Sequence, residues 1–270
     1  MAIITLTTDW NKSDYYLGTV KGKILSKDIN TQIVDITHQI QPFNIMEAAF
    51  IIRNSCFNFP KGTIHIIAVN AASNKKQSLL VIENEGQFFI SSNSGLVGLI
   101  SNEKPKAVYQ VKNTLGKTDF LDMDAYIDTA FKLIENKSLN SFCVKTDDYE
   151  SQTPLRPVID KNLISGSVIY IDSFANAITN VSRETFEKVG QGKAFEILVQ
   201  SNRFRLDRIS KGYSKPSPDG LVALFNSINL LEIAFLHGEA AMLMNLSINS
   251  TVRIKFFNEK PKNKLELTGG

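Results

Sequence analysis

Apolar positions over the first 145 residues follow two alternating rhythms. The runs AIITLTT (2–8), TQIVDITH (31–38) and GTIHIIAV (62–69) are rich in β-branched residues and read as strands. The last of these is continuously apolar, as expected of a strand covered on both faces. Between them, Asp14–Leu25 reads as a helix. From Asn44 onward, Ile45, Ala48, Ala49, Ile52 and Cys56 recur at helical spacing. Asn44 with Glu47 three residues on forms a capping-box pattern at its start. SLLVIENEGQFFIS (78–91) reads as a hairpin turned at Asn84–Gly86, SGLVGLI (94–100) is a short apolar stretch, and Met123–Asn136 is another amphipathic helix. Strands alternating with covering helices argue an α/β unit built on a mainly parallel sheet.

The rhythm changes after about residue 145. TDDYESQTPLRPVIDKN (146–162) is polar, holds two prolines and shows no period, as a linker would. Beyond it come short β-rich runs: GSVIYIDSF, NAITNVS, AFEILVQ, RFRLDRIS, GLVALFNS, LLEIAFL and STVRIKFF, separated by turn signals. This is the pattern of a small β-barrel or sandwich, in which only GEAAMLMNL (238–246) looks helical. The expected domains are residues 1–150, α/β, and 160–270, all-β.

Composition narrows the function classes. A chain of 270 residues that is 43% hydrophobic can bury a large core. Its net charge of +3, on lysines spread along the chain, gives no footprint for nucleic acid. Cys56 and Cys143 fit no metal or redox spacing and read as reduced, buried thiols. No apolar run approaches the roughly 20 residues of a membrane span, and the N-terminus lacks a signal-peptide pattern. The expectation is a soluble, cytoplasmic protein without a membrane partner.

Several residues carry candidate chemistry. Ligands of open α/β sheets sit outside the carboxyl ends of strands. Asp9 lies there, with Asp14 close behind. A carboxylate in that place can accept two hydrogen bonds from a ribose diol, although from position alone Asp there more often caps a helix. Asp35 and His38 lie three apart, but no Cys, His or Asp neighbours complete a ligand set, so no metal is assigned. His65 reads as core and His237 as a turn residue. In YIDSFANAITN, Asp172, Phe174 and Asn176 sit between two strands. They are either turn formers or a purine pocket, in which the ring stacks and the amide reads the base edge with a donor and an acceptor.

Taken together, these segments resemble one family, the S-adenosyl-L-methionine (SAM) hydroxide adenosyltransferases, or SAM hydrolases, relatives of the bacterial fluorinating and chlorinating enzymes. The family's T-D-F-G-x-x-D-x-Y-V-G-x-M-K-G is TTDWNKSDYYLGTVKG here, and its I-V-D-I-T-H-x-I-x-P-x-D-I-x-x-A-A is IVDITHQIQPFNIMEAAF. FPKGTIHIIAV, IDSFANAITN and LFNSINLLEIAFLHGEAA match further blocks in order. The resemblance implies an α/β N-terminal domain, a β-barrel C-terminal domain and a homotrimer with sites at subunit boundaries. It implies that Asp9 holds the ribose hydroxyls, Phe43 flanks the sugar and base, and Phe174 and Asn176 line the adenine pocket. It further implies that Asp172 pairs with the methionine ammonium, while Asp14 and Ser227 lie near the methionine end. SAM or adenosine is then the ligand, with no separate cofactor.

The chain departs from the family where the family positions water. The Asp and Arg of V-D-P-G-V-G-x-x-R correspond to Asn70 and Gln77 in AVNAASNKKQ, and the His of F-H-G-R-D corresponds to Leu121 in FLDMD. Losing a general base typically costs ~10²–10⁴-fold in rate. Displacement at a sulfonium still gains from alignment and desolvation alone. The expectation is slow hydrolysis of SAM to adenosine and methionine, with water aligned by Asn70 and Ser73 or activated by Asp122. Asp124, a second acid nearby, matches the family's following acid and reads as a helix cap. The alternative is a protein that binds SAM or adenosine without turning it over.

Overall fold

The computed structural model describes residues 2–71, 78–101, 103–112, 123–200, 204–213, 217 and 220–258. They form two compact units, Met1–Pro154 and Leu155–Gly270.

The first unit contains β1 (Ile3–Thr8), α1 (Tyr15–Lys27), β2 (Gln32–Thr37), α2 (Ile45–Ser55), β3 (Ile64–Ala68), β4 (Leu79–Asn84), β5 (Gln87–Ser92), α3 (Val97–Ile100), β6 (Ala107–Val111), α4 (Met123–Ile134), α5 (Leu139–Phe142) and β7 (Cys143–Lys145). Among the described residues the strands make one seven-stranded sheet in the order β2-β1-β3-β5-β4-β6-β7. Strands β2, β1, β3 and β5 run parallel, whereas β4 pairs antiparallel with both β5 and β6, and β6 antiparallel with β7. The sheet is therefore mixed, and the expected parallel arrangement holds for β2, β1, β3 and β5 only. The physical reason lies in the turn. Glu85 and Gly86 both have positive φ, 50° and 79°, the geometry of a tight two-residue hairpin. Such a turn reverses the chain, so β4 runs against β5, and the pairings beyond it continue antiparallel.

Side chains alternate between the two faces of this sheet. Ile4, Leu6, Ile66, Ala68, Leu79, Val81 and Ile90 pack with Val20 and Ile24 of α1 and with Tyr126, Ile127 and Ala130 of α4. Ile67, Leu80, Ile82 and Phe89 pack on the other side with Ile45, Ala48, Ala49 and Ile52 of α2 and with Val97 and Ile100 of α3. Trp10 belongs to the first of these cores, edge-on to Tyr16 at 6.4 Å. Half of the capping box forms at α2: Asn44 Oδ1 accepts from the Glu47 N–H at 3.1 Å, while the Glu47 carboxylate takes the Gln41 N–H. Gly95 has φ +96°, and a Cβ there would meet Gln152 Cγ at 2.8 Å, so glycine serves both the backbone and the packing. Cys56 and Cys143 are both buried and unpaired. Burial pushes each thiol up to about 12.

The second unit contains β8 (Val158–Asp160), β9 (Leu163–Ile171), β10 (Ala177–Ser182), α6 (Arg183–Gly190), β11 (Ala194–Val199), β12 (Phe204–Leu206), β13 (Leu221–Phe225), β14 (Leu230–Phe235), α7 (Ala240–Leu243) and β15 (Thr251–Phe257). The strands form an antiparallel sheet in the order β12-β11-β15-β9-β10-β14-β13, with β8 added along β9. A bridge between Ser210 and Leu224 ties the segment after β12 to β13, so the sheet nearly closes into a barrel. Its interior holds Ile164, Val168, Val181, Ile197, Val199, Leu221, Ile233, Val252 and Ile254. Two helix expectations need correction. GEAAMLMNL contributes only the single turn of α7. The longer helix, α6, lies in the polar segment RETFEKVG. It is capped by Ser182, whose Oγ accepts from the Thr185 N–H at 3.1 Å, and anchored by Phe186 among Phe195, Phe225 and Phe256.

Candidate functional site

In the first unit, the carboxyl ends of the parallel strands carry a polar cluster built around Asp9. Its Oδ2 accepts the backbone N–H of Phe43 at 2.9 Å and that of Asn70 at 3.2 Å. These donors come from the turn before α2 and from the end of β3, so one oxygen joins three separate segments. Among the described residues Oδ1 has no hydrogen bond and remains open. Neither donor belongs to the first turn of a helix, so Asp9 does not act as a cap. The backbone around it is held in the left-handed region, with φ of 64° at Asn11, 67° at Phe43 and 51° at Asn70. Asn tolerates that region, whereas for a bulky ring it is costly. Strain of this kind persists where surrounding structure fixes it, and it clusters at binding sites. Phe43 is also 65% exposed, an aromatic face with no core to enter.

A chain of polar groups, buried at Thr8 and His38 and partly exposed at Asp35 and Lys21, stands behind Asp9. His38 Nδ1 bonds Thr8 Oγ1 at 2.9 Å, and its Nε2 lies 3.2 Å from Asp35 Oδ1 without hydrogen-bond alignment. Lys21 Nζ pairs with Asp35 Oδ2 at 2.6 Å. Burial alone would push the Asp35 carboxyl up, but Lys21 and His38 outweigh it and hold it below the usual carboxylate value. Desolvation holds His38 below an ordinary histidine. The pair is thus a neutral imidazole and a carboxylate bracing the end of β1, and His38 is structural. His65 is likewise a core residue. It bonds Thr5 at 2.7 Å and stacks on Phe89, and burial holds it down to about 4.

The remaining expected residues of this unit separate. Asp14 stands exposed at the N-cap of α1 with no side-chain cap bond. Asn70 contributes its backbone N–H to Asp9, and its carbonyl accepts from Ser92 Oγ at 3.4 Å. Asp124 pairs with Lys23 at 2.7 Å on the surface. Ser73, Gln77, Leu121 and Asp122 lie outside the described residues.

The second unit gathers the other expected group into one turn between β9 and β10. Asp172 Oδ1 accepts the N–H of Phe174 at 2.9 Å and of Asn176 at 2.8 Å, while Oδ2 accepts Asn176 Nδ2 at 3.1 Å. Ala175 takes φ 58° at the tip, and its carbonyl accepts the Ala241 N–H of α7 at 2.8 Å. Phe174 is left 75% exposed, while Asn176 is buried. Both line an open cleft of about 570 Å³ together with Tyr213, Phe235, Leu236, His237 and Glu239. Behind Tyr213 lies Glu232, 3% exposed. Its carboxylate accepts Tyr213 Oη at 2.6 Å and Asn226 Nδ2 at 3.2 Å. Burial and the neighbouring Glu232 both push the Tyr213 phenol up, so it stays a donor. Ser227 sits exposed at the β13–β14 turn, whose shape Asn226 sets by accepting the N–H groups of Ile228 and Leu230.

Glu232 and Tyr213 escaped sequence reasoning. A charge inside the apolar run LLEIAFL was the available signal for the first, and nothing marked the second. A larger hollow of about 630 Å³, between α6 and the β8–β9 turn, is lined by Lys161, Lys188 and Lys193 with Asp160 and Glu184. It holds none of the expected residues. Among the described residues no group of three metal-binding side chains occurs, and no helix is long and apolar enough to cross a membrane.

Comparisons with known proteins identify the family of the chain. The profile of the SAM hydroxide adenosyltransferase N-terminal domain matches residues 4–143, and that of the C-terminal domain matches residues 166–253. An (R)-S-adenosyl-L-methionine hydrolase of Methanocaldococcus jannaschii is 25% identical over 269 residues, covering 93% of this chain and 95% of the relative. Among solved structures, an uncharacterized conserved protein from Thermotoga maritima aligns with TM-score 0.83 at 22% identity, covering 94% of this chain and 99% of that one. A conserved hypothetical protein from Thermus thermophilus aligns with TM-score 0.74 at 19% identity, covering 95% and 100%. At those identities the two structures speak for the fold alone. With both domain profiles matched in order over most of its length, the chain belongs to the SAM hydroxide adenosyltransferase family.

Proposed function

We propose that the protein binds SAM and hydrolyses it slowly to adenosine and methionine. The observation that carries this reading is the Asp9 carboxylate, with one oxygen bound to two backbone N–H groups and the other open at the ends of the parallel strands. That open oxygen suits a ribose diol, and the exposed Phe43 suits the sugar and base beside it. In the second unit, Phe174 and Asn176 suit adenine, and Asp172 suits the ammonium. Asp14 and Ser227 belong to the methionine end. SAM is the substrate, and no separate cofactor enters.

In the reaction, the water oxygen bonds C5′ as the C5′–S bond breaks. Sulfur keeps the electron pair and becomes the neutral thioether of methionine, and a proton leaves to solvent. The sulfonium is already a good leaving group, so alignment and exclusion of bulk water supply most of the acceleration. Asn70, Gln77 and Leu121 replace the family's water-activating side chains, which supports a low rate. Asn70 and Ser73 aligning the water, or Asp122 activating it, are the replacements the sequence offers. Each site closes in a homotrimer, between the first unit of one copy and the second unit of a neighbour.

A second reading, binding without turnover, is favoured by Asn70 itself, whose uncharged side chain offers no general base and whose backbone N–H is committed to Asp9. Incubation of the purified protein with SAM, followed by mass spectrometry of free and bound small molecules, separates the two. Adenosine and methionine released in equal amounts support hydrolysis. SAM recovered intact on the protein supports the binder, and no retention of SAM or adenosine overturns both. Light scattering that reports a monomer at micromolar concentration would overturn the trimer.

A further inference from the structure

Tyr126, in the opening turn of α4, is 3% exposed, and its hydroxyl has no hydrogen-bond partner among the described residues. Its ring packs in the first unit's core with Ala68 and Leu79. The hydroxyl reaches the end of β5, where Ser92 approaches it without forming an aligned bond, and the Asp9 carboxylate is near enough to act on it electrostatically. Ser92 in turn touches the Asn70 carbonyl at 3.4 Å. Three polar groups, the phenol, the Ser92 hydroxyl and the Asn70 carbonyl, therefore converge beside Asp9 at the strand ends.

A buried hydroxyl left unpaired loses its bonds to water and gains nothing in return. Phenylalanine would fill the same space without that cost. Buried polar groups in this position are satisfied by an ordered water making about two to four hydrogen bonds. Burial also pushes the phenol up, so it meets such a water as a neutral O–H and not as a base. We propose that Tyr126 is a positioning residue whose hydroxyl, together with Ser92, holds a water molecule beside Asp9 and presents it to the bound adenosyl group. The inference rests on the hydrolysis reading for its chemistry but on the orphaned hydroxyl for the water site.

The test is Tyr126→Phe, compared with wild type in unfolding, SAM affinity and single-turnover adenosine formation, with high-resolution crystal structures of both proteins. Expected are unchanged or raised stability, a SAM Kd within about twofold, and adenosine formation slowed by about tenfold or more, the scale of a lost alignment. Ser92→Ala should act in the same direction. A mutant that is as fast as wild type, or slower only in proportion to lost stability, overturns the role. If wild type binds SAM but forms no adenosine, the hydrolysis reading fails by itself and the crystal structures decide the water site. A water bridging Tyr126 Oη and Ser92 Oγ in wild type and absent in Tyr126→Phe supports it, and no water in wild type overturns it.

Discussion

Asp9 and Asp172 use the same device for different ends. Each collects two backbone N–H groups on a single carboxylate oxygen. The donors to Asp172 lie two and four residues onward in its own turn, and its second oxygen is occupied by Asn176. The donors to Asp9 lie 34 and 61 residues away, and its second oxygen is open. One aspartate shapes a local turn and would meet a ligand as an extra partner. The other ties three distant segments together and keeps an acceptor in reserve. The pair shows that one residue type can be a short-range or a long-range organiser, and only in the long-range case would a ligand contact be coupled to the fold.

The sharpest way to break this comparison is to remove both carboxylates in turn. Asp9→Ala should destabilise the first unit by about 3 kcal/mol, the loss of charge-assisted bonds to two backbone donors, and weaken SAM binding by more than about tenfold. Asp172→Ala should cost about 1 kcal/mol, because its donors lie in its own turn and its loss releases no distant segment. Equal losses in denaturant unfolding would refute the distinction.

Acid should separate the units next. His65 is held down to about 4 by burial in the folded first unit, against an ordinary 6.5. The unfolded chain therefore binds the proton first. Stability is complete above about pH 6.5 and falls as pH drops toward 4, by at most about 3 kcal/mol. In the second unit His237 is an exposed turn residue. Hydrogen exchange followed from pH 7 to 4 should show the first unit opening before the second, and His65→Gln should flatten that dependence.

The smallest effect concerns the two exposed rings. Phe43→Gly relieves a positive φ and should leave stability unchanged or raise it by about 0.5–1 kcal/mol, while weakening SAM binding. Phe174→Ala should leave stability within about 0.5 kcal/mol and also weaken binding. Calorimetry that finds SAM affinity unchanged in both would remove the rings from the site.

Particular residues explain what was legible in the sequence. The run AIITLTT ends just before Asp9, so the aspartate's place at a strand end followed from periodicity alone. Its partners did not, because nothing local to Phe43 or Asn70 announces a bond across 34 or 61 residues. The hairpin at Glu85–Gly86 was readable, yet its consequence was missed: a reversed strand makes the sheet mixed. RETFEKVG offers only Phe186 and Val189 as apolar positions, too few for a helical period, and its helix depends on the Ser182 cap and on aromatic packing supplied by other strands. Tyr126 looked like one more apolar position on α4, and its hydroxyl gained meaning only when the sheet brought Ser92 beneath it.

The two buried thiols have a practical consequence. With Cys56 and Cys143 inaccessible and held protonated to about pH 12, neither offers a thiolate to a maleimide or an iodoacetamide at neutral pH. A cysteine introduced at an exposed position on the rim of the cleft, such as Ser173→Cys, would therefore react selectively against a wild-type background. A fluorophore attached there would test whether SAM or adenosine reaches the cleft, without any prior removal of native sulfur.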